Sequence, residues 1–339
     1  MTFERKLTPK VMTELQTLFL FEPYYKSVIW GGEKIAALKC LNPSKKEIGE
    51  SWEISAVPGF ESIVANGKYK GLTIKDLINK FGKEIVGEGP INKWGNTFPL
   101  LIKIIDAAKD LSIQVHPDDS LAAKLHNARG KTEMWYIIDA APDSVIYSGL
   151  ENNTDEESFR KMAEDGTIIN SLSAYPVKKG QFYYIPAGTV HAIGAGVMVA
   201  EIQETSDISY RIFDYNRVDS EGNTRPLHID AAVQAINFSS EIKEPVCTPE
   251  SSCTGIIESD FFNVDFIKPD KGNKKPLTLK GAKDSFSILI AVHSPLKCNI
   301  SGNIFDIPLG SSALIPACVN SFEIEADEAF LRVSLPPII

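Results

Sequence analysis

Short apolar runs recur along the chain, and they are punctuated by Gly, Pro, Asn and Asp. SIVANG, LLIKIIDA, LSIQVHP, EMWYIID, SVIYSG, QFYYIPAG, VMVAEIQ, SYRIFDY, FNVDFI, FSILIAVH and SSALIPA each have the length and β-branched or aromatic content of a strand. Many short strands with turn signals between them predict a β-barrel or sandwich rather than alternating βαβ units. Helical patterns are local. LTIKDLINKFG has apolar residues at helical spacing and ends in Gly, and DEESFRKMAEDG follows a capping Thr154 or Asp155 and also ends in Gly. DAAVQAINF follows Pro226 as a third helix joining two β regions. The expected fold is mainly β with a few short helices.

Two segments repeat one pattern. Gly180-Gln-Phe-Tyr-Tyr-Ile185-Pro186-Ala187 reads like Gly310-Ser-Ser-Ala-Leu-Ile315-Pro316-Ala317: a Gly turn leads a strand that ends at Ile-Pro-Ala. The 339 residues suffice for two domains, and a duplication is one source of such a match. The polar, Pro-containing SSEIKEPVCTPESS marks a boundary, giving domains over residues 1–238 and 239–339, with a helical insertion at about 152–172 in the first. Six residues after Ile185 stands His191, whereas the same offset from Ile315 gives Ser321. A true duplication would thus leave the second barrel without that histidine.

The net charge of −9 argues against broad nucleic-acid binding, which needs a basic surface. Cys40, Cys247, Cys253, Cys298 and Cys318 are scattered, with no CxxC spacing, as expected in a reducing compartment without disulfides or a thiolate metal site. The N-terminus lacks the apolar core of a leader peptide, and no apolar run is long enough to span a bilayer. A cytoplasmic protein without a membrane partner is expected.

Chemistry concentrates in four segments. In LSIQVHPDD, strand alternation puts Leu111, Ile113 and Val115 on one face and Ser112, Gln114 and His116 on the other. Repeated polar groups on an otherwise apolar strand either face water or line an interior that holds a ligand. In KTEMWYIID, Lys131 and Glu133 share a face, as a surface ion pair or as a source of an anionic ligand oxygen. In QFYYIPAGTVHAIG, the Pro-Ala-Gly turn leads into His191, which suits a barrel mouth or a hydrogen-bonded core. Two histidines, a carboxylate and an amide oxygen together make a donor set for Zn²⁺, with Fe²⁺ or Mn²⁺ also possible. His126, His228 and His293 lack such neighbours and read as surface or structural residues. The fourth segment, VMVAEIQETSDISYRIFDYNR, carries Glu201, Asp207, Arg211 and Arg217. An Arg facing a pocket suits a phosphate or a developing oxyanion, and one facing water makes an ion pair.

LSIQVHPDD, GKTEMWYIID, YIPAGTVHAIG and SDISYRIFDYNR, with YYKSVIWGG and IGESWEIS before them, resemble the signature segments of type I mannose-6-phosphate isomerases (phosphomannose isomerases). The resemblance runs from about residue 18 to 238, more loosely to the C-terminus, and the length resembles the shorter bacterial form. It implies two cupin-like β-barrel domains and one zinc ion per chain, held by Gln114, His116, Glu133 and His191. It implies a sugar-phosphate substrate and reversible exchange of mannose 6-phosphate and fructose 6-phosphate through an enediol(ate). Arg211 falls on the active-site arginine of that pattern, beside Lys131, and Ser112, Glu201 and Asp207 fall on other pocket positions. Glu201 is then a candidate base, with Asp207 or Lys131 as alternatives, and Ser112, Lys131 and Arg217 are candidates for phosphate contact. Two rival readings are a barrel oxygenase using Fe²⁺ and a sugar-binding barrel without turnover.

Overall fold

Pairing between segments far apart in sequence dominates the computed structural model, which describes residues 14–42, 47–151, 154–219, 221–239, 245–270 and 275–337. Residues 1–13 of the N-terminus, 152–153 at the start of the expected insertion and 240–244 within the expected boundary lie outside the described residues. Two compact units interleave along the chain. One takes the segment up to Pro23, Glu53–Pro99 and everything from Pro249; the other takes Tyr24–Trp52 and Leu100–Thr248. This departs from the continuous division expected at 238/239. The reason is strand pairing: Phe19 lies opposite Leu314 and Leu20 opposite Ala313, so an N-terminal strand completes a sheet built from C-terminal ones.

In the first unit a seven-stranded and a four-stranded antiparallel sheet share an apolar core that includes Leu18, Leu289, Cys298, Ile315, Phe322 and Phe330. Its helix Ile74–Phe81, expected from the apolar spacing of LTIKDLINKFG, starts at a Thr73 capping box and stops, as the pattern predicts, at Gly82 with φ 51°.

The second unit carries the candidate chemistry. Its strands are β1 (Tyr24–Gly32), β2 (Ile48–Ile54), β3 (Leu100–Ala107), β4 (Ile113–Val115), β5 (Glu133–Ala140), β6 (Val145–Leu150), β7 (Leu172–Pro176), β8 (Phe182–Ile185), β9 (His191–Ile193), β10 (Val197–Glu204) and β11 (Tyr210–Phe213). They form a six-stranded sheet in the order β8-β5-β10-β3-β2-β1 and a five-stranded sheet in the order β11-β4-β9-β6-β7. All eight residues of β3 and of β10 are buried, as expected of near-continuous apolar runs at a sheet centre. Side chains of both sheets meet in a shared core: Ile105, Trp135, Ile137, Tyr183 and Val199 from one, Leu111, Ile146 and Ile193 from the other. The outer face of the five-stranded sheet, with Ile113, Val115, Ala192 and Ile212, is covered by the helices Glu156–Asp165 and Ile229–Ala235 through Phe159, Ala163 and Ala232. The sequence-predicted third helix thus packs on a sheet. Leu111 departs from its expected face. Strand β4 begins only at Ile113, so Leu111 joins the core between the sheets while Ile113 and Val115 face the helices.

Two turns tie the ends of these strands together. A Cβ on Gly130 would lie 2.5 Å from the backbone of Asp118, so glycine allows the close approach that lets Lys131 N–H donate to Pro117 C=O at 3.0 Å. In the Pro-Ala-Gly turn, Gly188 has φ 86° and its N–H donates to His116 C=O at 2.9 Å. The two repeated segments share local geometry: Thr189 N–H donates to Pro186 C=O at 3.1 Å and Val319 N–H to Pro316 C=O at 3.0 Å. Among the described residues no helix is long and apolar enough to cross a membrane.

Ile113 is fully buried against the helical layer. Ile113→Ala should lower unfolding free energy by about 2–5 kcal/mol, read from urea denaturation, and a neutral result would show that this face is not packed as described.

Candidate metal centre

Register brings polar residues of five strands together. His191 lies opposite Gln114 across β9 and β4, and Arg211 lies opposite Gln114 across β11 and β4. Directly paired residues share a sheet face, and Gln114 and Ile113 take opposite faces as β4 alternates. On the six-stranded sheet Glu133 opens β5 opposite Gln203 of β10. His116 follows β4 and Lys131 precedes β5, in the two loops that Gly130 draws together.

The side-chain nitrogens of His116 and His191 and the Glu133 carboxylate converge, with ligand atoms all within 4.8 Å of one another and every residue buried. His116 Nε2 is 3.5 Å from Glu133 Oε2, and His191 Nε2 is 3.4 Å from Glu133 Oε1. The amide nitrogen of Gln114 faces His191 Nε2 at 3.4 Å, and a half-turn of the amide would present its oxygen there instead. Each imidazole has its other nitrogen on a main-chain carbonyl: His116 Nδ1 on Ile208 C=O at 3.0 Å and His191 Nδ1 on Thr189 C=O at 2.9 Å. A carbonyl only accepts, so both Nδ1 atoms carry hydrogen and both Nε2 lone pairs face Glu133. Backbone carbonyls fix metal-binding imidazoles in this way.

Lys131 Nζ sits 2.7 Å from Glu133 Oε2 and 3.1 Å from His116 Nε2. Even so, neither Glu133 oxygen accepts an aligned hydrogen bond, and the side chain has no exposed surface. An orphaned, fully buried carboxylate flanked by two imidazole lone pairs fits a divalent cation. The titration behaviour agrees. Burial drives the His116 imidazole down, and Lys131 adds to this, to about 3. Burial also lowers His191. For Glu133 burial raises the carboxyl, but Lys131 and His116 outweigh it and hold it well below the ordinary range. Both imidazoles are therefore neutral and Glu133 is anionic.

A second buried network adjoins this one. Glu201 Oε1 is 2.9 Å from Lys103 Nζ and 3.9 Å from Lys131 Nζ, and its Oε2 accepts from Trp135 Nε1 at 3.1 Å. Lys103 Nζ is also 3.7 Å from Glu50 Oε2, which accepts from Trp52 Nε1 at 2.6 Å. Burial lowers the Lys103 ammonium, but Glu201 and Glu50 outweigh it and raise it overall; burial raises Glu50, but Lys103, Lys26 and the Trp52 hydrogen bond together hold it low.

Gln114, His116, Lys131, Glu133, Glu201 and His191 thus lie together. Arg211 lies beside them in the sheet; its Nη1 donates to Pro226 C=O at 2.8 Å while its Nε is buried without a partner. Burial, Arg225 and Arg217 lower its guanidinium against the pull of Asp214. Ser112 is buried just ahead of β4, outside the direct contacts. Asp207 is exposed and joins none of them. Arg217 is committed elsewhere: Nε donates to Asp214 C=O at 3.2 Å, and its two terminal nitrogens are taken by the Asp110 carbonyl and the Asp214 carboxylate. Arg225 grips the same carboxylate. His126 bonds the Tyr210 hydroxyl at 2.7 Å and His228 accepts from Arg211 N–H at 3.0 Å, both structural tasks.

Comparison with known proteins accords with this geometry. The family model "Phosphomannose isomerase type I, catalytic domain" matches residues 18–140. The chain is 36% identical over 307 residues to mannose-6-phosphate isomerase ManA of Bacillus subtilis, covering 90% of this chain and 95% of that protein. It belongs to the type I phosphomannose isomerase family. Within that family it is also 38% identical over 255 residues to the mannose-6-phosphate isomerase of Streptococcus mutans, covering 74% of this chain and 78% of that one. A crystal structure of the Bacillus subtilis mannose 6-phosphate isomerase aligns with TM-score 0.80 at 31% identity, covering 94% of this chain and 100% of that chain.

Sequence reasoning missed Lys103, Glu50, Trp52 and Trp135 in this phosphomannose isomerase. The available signal was Lys103 itself, one cation inside the apolar run LLIKIIDA, which requires a buried carboxylate nearby.

The neutral His116 also predicts a pH response. Its folded value is about 3 against an ordinary 6.5, so between these limits the unfolded chain binds the extra proton. Stability of the chelated protein should therefore fall as pH drops below about 6.5, by up to about 1.4 kcal/mol per unit for this group. His191 acts with the same sign; Glu133 adds to the loss only below the ordinary carboxylate range. Urea unfolding of metal-free protein at about pH 7, 6 and 5 should show a smaller slope in His116→Asn, and equal slopes would contradict the assignment.

Proposed function

We propose that this enzyme interconverts mannose 6-phosphate and fructose 6-phosphate through an enediol(ate), with a zinc ion held by Gln114, His116, Glu133 and His191. The observation that carries this reading is the convergence of three ligating side chains within 4.8 Å, with a second buried carboxylate, Glu201, reached through Lys131 at 3.9 Å. One carboxylate and two neutral imidazoles suit zinc. When bound, the cation supplies Lewis acidity at the sugar oxygens.

The chain's own residues supply the proton chemistry. Glu201 takes the proton from C2 of the open-chain aldose; the C2–H electron pair becomes the C1=C2 bond, and the C1 carbonyl oxygen gains negative charge and then a proton. Returning a proton to C1 while the O2 hydroxyl loses its own gives the ketose. Glu201 is favoured as the base over Asp207, because it is buried beside Lys103 and Lys131, whereas Asp207 is exposed. Lys131 donates toward the oxygen that develops charge, and Arg211 adds a cation on the same side. With Arg217 engaged by Asp110 and Asp214, phosphate contact falls first to Arg211, with Lys131 and Ser112 as further candidates. Family membership supports an isomerase over a dioxygen-activating or non-catalytic barrel. The free state of the described Cys40, Cys247, Cys298 and Cys318 suits a reducing cytoplasm.

A coupled assay should detect fructose 6-phosphate formed from mannose 6-phosphate. Chelation should abolish the signal and added Zn²⁺ should restore it; full turnover in a demonstrably metal-free sample would sink the reading. Arg211→Ala should lower kcat by about 100-fold while bound metal stays near one per chain. Loss of the metal would instead recast Arg211 as a support of Gln114.

A further inference from the structure

Three adjacent strands carry Lys103, Glu201 and Trp135 in one row: Lys103 lies opposite Glu201 across β3 and β10, and Glu201 opposite Trp135 across β10 and β5. Trp135 is 1% exposed. Its indole has one polar atom, the Nε1–H, and spends it on Glu201 Oε2 at 3.1 Å. The edge of the same ring meets His191 at 5.4 Å between centroids, with the planes at 69°. One side chain therefore touches both a ligating imidazole and the carboxylate of the adjoining network.

The geometry points to Trp135 as a positioning residue that sets the plane in which Glu201 presents its carboxylate to the sugar. This rests on the reading of Glu201 as the proton-transferring carboxylate. A glutamate's last torsion is broad and nearly two-fold, so burial alone does not fix the plane of the carboxylate. Lys103 and Lys131 both lie on the Oε1 side, at 2.9 and 3.9 Å, and offer the carboxylate a bidentate turn toward either ammonium. The indole N–H opposes that turn by anchoring Oε2. Oε1 is then turned toward Lys103 at 2.9 Å and Lys131 at 3.9 Å, on the side of the metal ligands. The His191 contact fixes the indole in turn, so the base and the metal centre keep a common reference. Beyond Lys103, Trp52 Nε1 donates to Glu50 Oε2 at 2.6 Å, the same oxygen that Lys103 Nζ faces at 3.7 Å.

Two replacements at position 135 test this in the metal-loaded enzyme with mannose 6-phosphate. Trp135→Phe keeps an aromatic ring against His191 and removes the N–H. Incorporated 3-benzothienylalanine keeps the shape of tryptophan and removes only the N–H, so it remains informative if Trp135→Phe folds poorly. Each should lower kcat by about 10- to 100-fold, leave KM within about twofold and retain one metal per chain. In a Glu201→Gln background neither should cause a further loss, because the residue through which Trp135 acts has lost its function. Unchanged kcat with benzothienylalanine, or the same fold-loss in both backgrounds, would overturn the proposal. Wild-type turnover by Glu201→Gln alone would instead overturn the reading of Glu201 as the base, and the proposal with it.

Discussion

Glu133 has no exposed surface, yet it stays ionised. A carboxylate in that position is destabilising by several kcal/mol unless compensating charge lies beside it. Lys131 supplies one such charge at 2.7 Å, but Lys103 and Lys131 together face three carboxylates, on Glu50, Glu133 and Glu201. Lys26 adds a further positive charge beside Glu50. Among the described residues, Glu133 itself has only Lys131 as a close cation, with neutral imidazoles on its other sides.

The fold meets this constraint by using both sheets of one unit. The five-stranded sheet presents Gln114 and His191 in one row, and the six-stranded sheet presents Glu133, with Glu201 and Trp135 two positions along their strands. The helices Glu156–Asp165 and Ile229–Ala235 seal the far face of the five-stranded sheet, so its inner face can carry polar groups without loss of core. Gly130 allows the close approach that joins the loops carrying His116 and Lys131, and Gly188, at φ 86°, makes the turn ahead of His191 and donates to His116 C=O. Two main-chain carbonyls then set the imidazole tautomers.

Much of this was legible in sequence because it is local. Period-two alternation separates Ile113 and Val115 from Gln114 in the way the structure realises, and the capping pattern at Asp155 marks a true helix start. What was not legible is long-range. Leu111 falls on the other face because regular pairing begins two residues later, which alternation alone does not reveal. The interleaving of units depends on Phe19 meeting Leu314, a contact between nearly opposite ends of the chain. The Lys103–Glu50 pair is hidden because the two residues lie on strands far apart in sequence. Arg217 reads as a free cation until Asp110 and Asp214 are seen to occupy its donors.

The central claim is that a divalent cation sits on two imidazoles and an oxygen-donor set. X-ray absorption at the metal edge of the purified, unsupplemented protein tests it most directly. Zinc with two imidazole nitrogens and oxygen donors, all at about 2.0–2.2 Å, is the predicted spectrum. Absence of any stoichiometric metal, or a thiolate sulfur at about 2.3 Å, would contradict the account.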